Sequence, residues 1–157
     1  MRKLCADVLS QLEGKTLVTA ESLTGGGIGA ALTDIPGSSA VYKGGIICYT
    51  DWVKEQILGV SADVLKFWGA VSPYTAEAMA RGARKLLQAD VAVAVTGLAG
   101  PDGDDFGNPV GTVYIGYSDS HGAFAKHFQF SGNREQVREQ TILAALKIVL
   151  EQVKSST

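Results

Sequence analysis

The chain has 157 residues, 46% hydrophobic and 19% charged, enough for one compact domain over residues 1–157 that buries roughly two-thirds of its unfolded surface. Its formal charge of −2, with Lys and Arg scattered, argues against the clustered positive face that grips nucleic acid, and points to a small-molecule partner. No apolar run approaches the roughly 20 residues of a membrane helix, and Asp7 and Glu13 follow Met1-Arg2-Lys3 where a signal peptide would be apolar, so the sequence reads as soluble and cytoplasmic.

Leu4, Cys5, Val8, Leu9 and Leu12 recur at helical spacing and predict a short first helix stopped by Gly14. Thr16 to Ala20 is β-branched and bounded by glycines, which predicts a buried strand. A helix is expected from Thr24 to Thr33, ended by Pro36-Gly37-Ser38-Ser39. A second strand is expected over Val41 to Tyr49 and a short helix over Asp51 to Leu58, closed by Gly59. Ser61 and Ser72 read as helix caps, with Pro73 in the first helical position, where its missing N–H costs nothing. The helix after Ser72 carries Ala76, Met79, Ala80, Ala83, Leu86 and Leu87 on one face.

Asp90 to Thr96 is almost continuously apolar, the pattern of a central strand covered on both faces. The loop from Gly97 to Asn108 is long for a simple connection. Gly111 to Tyr117 and Ala123 to Phe130 predict an antiparallel pair, and the last helix runs from about Arg134 to Lys154. Alternating helices and strands give a three-layer α/β/α sandwich around a mixed, mostly parallel sheet. Cys5 and Cys48 sit in apolar surroundings without metal-ligand spacing and read as reduced core residues.

Chemistry is expected where the first strand runs through Glu21-Ser22-Leu23-Thr24-Gly25-Gly26-Gly27 into a helix, because the amides of a helix start form an anion or oxyanion site. The glycines match neither the dinucleotide fingerprint nor the phosphate-binding loop. Ser22 and Thr24 can be helix caps, or Ser22 can be a nucleophile whose oxyanion the following amides hold. A nucleophilic serine needs a base. His121 and His127 both lie at the late hairpin and support a Ser-His-Asp triad poorly, which turns attention to a lysine or tyrosine. Tyr49 and Lys54 can converge on a cleft at the sheet edge; their plain alternatives are a core aromatic and a solvated helix residue.

The segment from Thr96 through Gly97 and Gly100 to Asp102 leaves a central strand beside the same end of the sheet, where open α/β folds bind ligands, or is an ordinary surface loop. Asp102, Asp104 and Asp105 read as solvated acids rather than as a cation site. Arg134 and Arg138 can hold a phosphate, pair with that loop, or be exposed helix charges. No metal site and no cofactor are predicted.

Taken together, Ala20 to Gly26, Gly44-Gly45 through Tyr49 to Lys54 with Leu58-Gly59-Val60, Gly69 to Ser72, Thr96 to Pro101, Pro109 to Val113 and Ser131 to Arg134 with Arg138 resemble the CinA C-terminal-domain family. The resemblance implies an amidohydrolase that converts nicotinamide mononucleotide to nicotinate mononucleotide and ammonia, in its stand-alone form and as a homo-oligomer. It implies a serine nucleophile at Ser22 assisted by Tyr49 and Lys54. Thr24, Gly25, Gly26, Thr96, Gly97, Gly100 and Arg134 are the candidate substrate-binding residues. The family usually carries Cys where Leu23 stands and Ser-Asn where Thr50-Asp51 stands, and Asp51 beside Lys54 is expected to favour the charged ammonium. A catalytically silent nucleotide-binding relative of the same fold is the alternative.

Overall fold

The computed structural model describes residues 1–156. In chain order it contains α1 (Arg2–Gln11), β1 (Leu17–Glu21), α2 (Gly27–Thr33), β2 (Tyr42–Ile47), α3 (Asp51–Gln56), α4 (Ala62–Trp68), α5 (Pro73–Leu86), β3 (Val91–Gly97), β4 (Thr112–Asp119), β5 (Gly122–Gln129) and α6 (Arg134–Ser155). A 3-10 turn at Ser38–Ala40 precedes β2.

The strands form one sheet in the order β2-β1-β3-β4-β5. β1 lies parallel to both β2 and β3, β4 opposes β3, and β5 opposes β4. Four strands therefore point the same way, while the neighbouring pairs divide evenly between parallel and antiparallel. β1 is buried along its whole length and β3 at every position but its last, which accounts for their unbroken apolar composition.

The sheet is covered on both sides. Leu17, Val91, Val93, Val95 and Ile115 face a core shared with Val8 and Leu12 near α1, Ile28 and Leu32 of α2, and Leu146 and Val149 of α6. Val18, Ala20, Ala92 and Ala94 face the other side, against Leu65 of α4 and Met79, Ala80 and Ala83 of α5. This is the expected three-layer α/β/α arrangement. Small side chains on the second face let α5 come close: a Cβ at Gly116 would overlap the backbone of Ala76. Leu86, expected on the inner face of α5, is instead half exposed, because the helix ends there.

Local chemistry sets the helix ends. Ser61 and Ser72 accept backbone N–H bonds at the starts of α4 and α5, with Pro73 in the first turn as expected. Asn133 and Gln136 form a reciprocal capping box at the start of α6. The predicted helix at Thr24 starts three residues later, at Gly27. Gly25 and Gly26 hold φ of +58° and +103°, left-handed geometry that shapes a turn rather than a first helical turn. α3 is correspondingly shorter than expected, ending at Gln56. Among the described residues no helix is long and apolar enough to cross a membrane.

Candidate functional site

Ser22 lies one residue beyond β1, where the sheet still holds the chain on both sides. The Ser22 amide donates to the Val95 carbonyl at 3.1 Å, and the Cys48 amide donates to the Glu21 carbonyl at 2.9 Å. The C-terminal ends of three parallel strands thus meet at this residue, the place where open α/β sheets present ligand sites. Ser22 is 7% exposed.

Lys54 reaches the same point from α3. It is 1% exposed, and its Nζ lies 3.0 Å from Ser22 Oγ and 2.6 Å from the carbonyl oxygen of Cys48. One turn of helix begun at Asp51 turns this residue inward, so the plain expectation of a solvated lysine does not hold. Burial pushes the Lys54 ammonium below the ordinary lysine range, and the fields of Cys48, Asp51 and Tyr49 pull the other way without reversing it. Asp51 favours the charged form, as expected, but desolvation outweighs it in the direction of the shift. A neutral amine here can donate one N–H to the Cys48 carbonyl and turn its lone pair to the Ser22 hydroxyl. The neighbouring Cys48 thiol is pushed up to about 11, chiefly by burial, so it is protonated at neutral pH.

Tyr49 is not a core aromatic: it is 60% exposed. Its hydroxyl accepts a 3.2 Å bond from Arg134, whose other terminal nitrogen donates to the Gly100 carbonyl at 2.7 Å. Arg134 thereby ties the start of α6 to the strand end at Tyr49 and to the loop after β3. These residues, with Leu23, Gly97, Leu98, Ala99, Pro101 and Asp102, line a cleft of about 190 Å³. Arg134 has five N–H donors and spends two on these contacts, so others remain for a ligand anion.

The remaining candidates divide by what their polar groups already do. Thr96 is buried and its hydroxyl donates to the Ala70 carbonyl at 2.7 Å, a structural tie. Thr24 is buried and donates its hydroxyl to Glu21 at 2.6 Å. The Gly25 amide donates to the Ser22 carbonyl at 3.2 Å, and Gly26 caps α2 in left-handed geometry. Gly97 lies against the backbone of Thr112, where a Cβ would sit 2.7 Å from the carbonyl oxygen. Among the described residues the amides of Leu23, Thr24 and Gly26 have no backbone acceptor. Asp104 bonds the Phe106 and Asn108 amides and the Asn108 side chain within its own loop. His121 and His127 lie on the β4–β5 hairpin, on the opposite flank of β3 from Lys54's strand end, and take no part in this cluster.

The start of α2 is not the open anion site that the sequence predicts. The carboxylate of Glu21, 2% exposed, accepts the Ile28 and Gly29 amides at 2.8 and 3.1 Å together with the Thr24 hydroxyl. An internal anion thus fills the helix terminus and leaves only the turn before it for a ligand. The available signal was an acidic residue closing an otherwise apolar strand just before a glycine turn. Glu21→Gln is expected to lower stability by about 3 kcal/mol, since its NH2 faces donors instead of accepting from them. Urea unfolding measures this as a lower midpoint at unchanged slope; an unchanged midpoint contradicts the assignment.

A family profile described as the CinA C-terminal domain matches residues 1–153. The chain is 50% identical over 133 residues to a CinA-like protein of Geotalea uraniireducens, covering 85% of this chain and 32% of that protein. To a CinA-like protein of Synechocystis it is 46% identical over 147 residues, 91% of this chain and 35% of the other. The chain spans about a third of the length of these curated relatives. Among solved structures it is similar to the competence damage-inducible protein A of Klebsiella pneumoniae, with a TM-score of 0.95 at 35% identity over 98% of this chain and 96% of that one. It is also similar to the competence/damage inducible protein CihA of Agrobacterium tumefaciens, with a TM-score of 0.92 at 38% identity over 96% and 93%.

Proposed function

The chain belongs to the CinA C-terminal-domain family, and from its site we propose that it hydrolyses a carboxamide, with nicotinamide mononucleotide as substrate and Ser22 as nucleophile. The observation that carries this reading is the buried contact of 3.0 Å between Lys54 Nζ and Ser22 Oγ, with the lysine shifted toward its neutral form.

Ser22 Oγ attacks the carboxamide carbon as its proton passes to Lys54 Nζ. The Leu23 and Thr24 amides stabilise the oxyanion that forms, and the proton on Lys54 then goes to the departing ammonia. Water, deprotonated by the now neutral lysine, cleaves the resulting ester to release the carboxylate and free Ser22. The sum is one amide and one water giving one acid and one ammonia, with no electrons moved. Tyr49 and Arg134 form the wall that holds the nucleotide. Arg134 faces the phosphate.

The test is purified protein with nicotinamide mononucleotide, following ammonia and nicotinate mononucleotide together. Release of both in equal amounts supports hydrolysis. No ammonia above the blank from folded protein overturns it, and calorimetric binding without turnover then favours the silent nucleotide-binding alternative. Arg134→Ala is expected to raise KM about tenfold and to leave kcat within about threefold, because a phosphate contact far from the reacting carbon acts equally on ground and transition states. A fall in kcat at constant KM contradicts that role.

A further inference from the structure

One cation grips the turn after Ser22 from outside the cleft. Arg138, half-buried on α6, donates from Nε to the Leu23 carbonyl at 2.9 Å and from Nη2 to the Thr24 carbonyl at 3.2 Å. The ion pairs of the described residues join Arg2 with Asp34, Lys3 with Asp7, Arg81 with Glu77 and His121 with Asp119, so no carboxylate neutralises this guanidinium. Its charge falls on two peptide groups.

Where those peptides lead is specific. A trans peptide points its N–H opposite to its C=O, so the carbonyl of Leu23 held by Arg138 belongs to the same unit as the N–H of Thr24. The second carbonyl, of Thr24, shares its unit with the Gly25 N–H. That N–H donates to the Ser22 carbonyl at 3.2 Å, and the Ser22 carbonyl shares its unit with the N–H of Leu23. The two chains that start at Arg138 therefore end on the Thr24 and Leu23 amides, two of the amides in this turn with no backbone acceptor. A cation on a carbonyl polarises its peptide and makes the N–H a stronger donor, and hydrogen bonds in series pass that polarisation on.

We propose that Arg138 is a positioning residue that orients and polarises the Leu23 and Thr24 amides as the oxyanion hole of Ser22. This rests on the reading of Ser22 as nucleophile. Arg138 acts through the backbone and touches no substrate. The contribution is largest when negative charge develops on the oxygen, so it appears in kcat rather than KM. Lysine keeps the charge and loses the fork that engages both carbonyls at once.

The test uses a fluorophosphonate, which phosphonylates activated serines and needs no knowledge of the natural substrate. Labelling rate and site are measured by intact and peptide mass for wild type, Ser22→Ala, Arg138→Gln and Arg138→Lys, with melting followed by circular dichroism. Wild type is expected to label at Ser22, Ser22→Ala not at all, Arg138→Gln about 10- to 100-fold more slowly, and Arg138→Lys in between. With nicotinamide mononucleotide, kcat falls in the same order while KM stays within about threefold. Equal labelling rates for wild type and folded Arg138→Gln overturn the proposal and leave the Ser22 reading intact. If Arg138→Gln does not fold, Arg138→Lys decides, and a wild-type labelling rate there overturns it. Absence of wild-type labelling, or equal labelling of Ser22→Ala, overturns the Ser22 reading and the proposal with it.

Discussion

Ser22→Ala is expected to lower kcat by at least about 10⁴-fold, to the level that binding and amide donors alone sustain. The same substitution leaves stability within about 1 kcal/mol. Ser22 keeps its backbone bond to Val95, and the hydroxyl removed is one of two partners of the Lys54 amine, whose bond to the Cys48 carbonyl remains. Steady-state ammonia release beside a thermal melt checks both halves. A fall of less than tenfold in kcat places the nucleophile elsewhere.

Lys54→Met carries the second large effect. On the proposed mechanism it removes the proton acceptor from Ser22 and is expected to cost about 10³-fold or more in kcat, with Lys54→Arg as inactive because a guanidinium does not deprotonate. Stability behaves differently. The methionine leaves the Cys48 carbonyl without its 2.6 Å partner, which costs about 1–3 kcal/mol, but it also removes a buried amine whose charged form burial disfavours. The two terms offset, so the melting temperature is expected to move by no more than about 2–4 °C. The lowered lysine fixes the sign of two pH effects. The proposed mechanism needs the neutral amine, so kcat is expected to climb with pH and to level off below the pH at which an ordinary lysine titrates. The stability penalty of the charged form is present below the lowered value and is relieved as pH rises toward the ordinary one, so the advantage of Lys54→Met shrinks in alkali. A kcat profile flat from pH 6 to 10 contradicts Lys54 as base.

The layers of the fold were legible because their signals are local. The β-branched run at Thr16 to Ala20 and the apolar run at Asp90 to Thr96 became β1 and β3, and Ser72-Pro73 opened α5 as its chemistry dictates. The position of Ser22 followed from a strand running into a glycine turn. What surrounds it did not follow, since burial and partners depend on segments far apart in the chain. Lys54 and Tyr49 exchange the environments that their side chains ordinarily take, the lysine enclosed and the tyrosine exposed; their place near one strand end made them candidates, and resemblance to the family raised them above the plain alternatives. Glu21 entered the sequence reading only as the first residue of the glycine turn, and Arg138 as a phosphate holder, a partner of the acidic loop or an exposed helix charge. Arg138's partners lie 114 and 115 residues away, beyond the reach of any sequence pattern, while Glu21's lie 3, 7 and 8 residues on but across a turn whose course the sequence does not show.

The structure therefore relocates the anion-binding capacity of the glycine turn. Glu21 takes the amides of α2, and the Leu23 and Thr24 amides of the turn remain beside the Ser22–Lys54 pair. That division suits the proposed mechanism, in which a transient oxyanion forms near Ser22 and Arg134 holds the substrate phosphate at a distance.

Partitioning of the acyl intermediate tests the central claim most directly. Wild type and Ser22→Ala are given nicotinamide mononucleotide in rising concentrations of hydroxylamine, and ammonia, acid and hydroxamate are measured together. Wild type is expected to release one ammonia for each acid or hydroxamate formed, with the hydroxamate share rising with hydroxylamine, and folded Ser22→Ala to form all three at least about 10⁴-fold more slowly. Ammonia release by Ser22→Ala at a rate comparable to wild type contradicts the account.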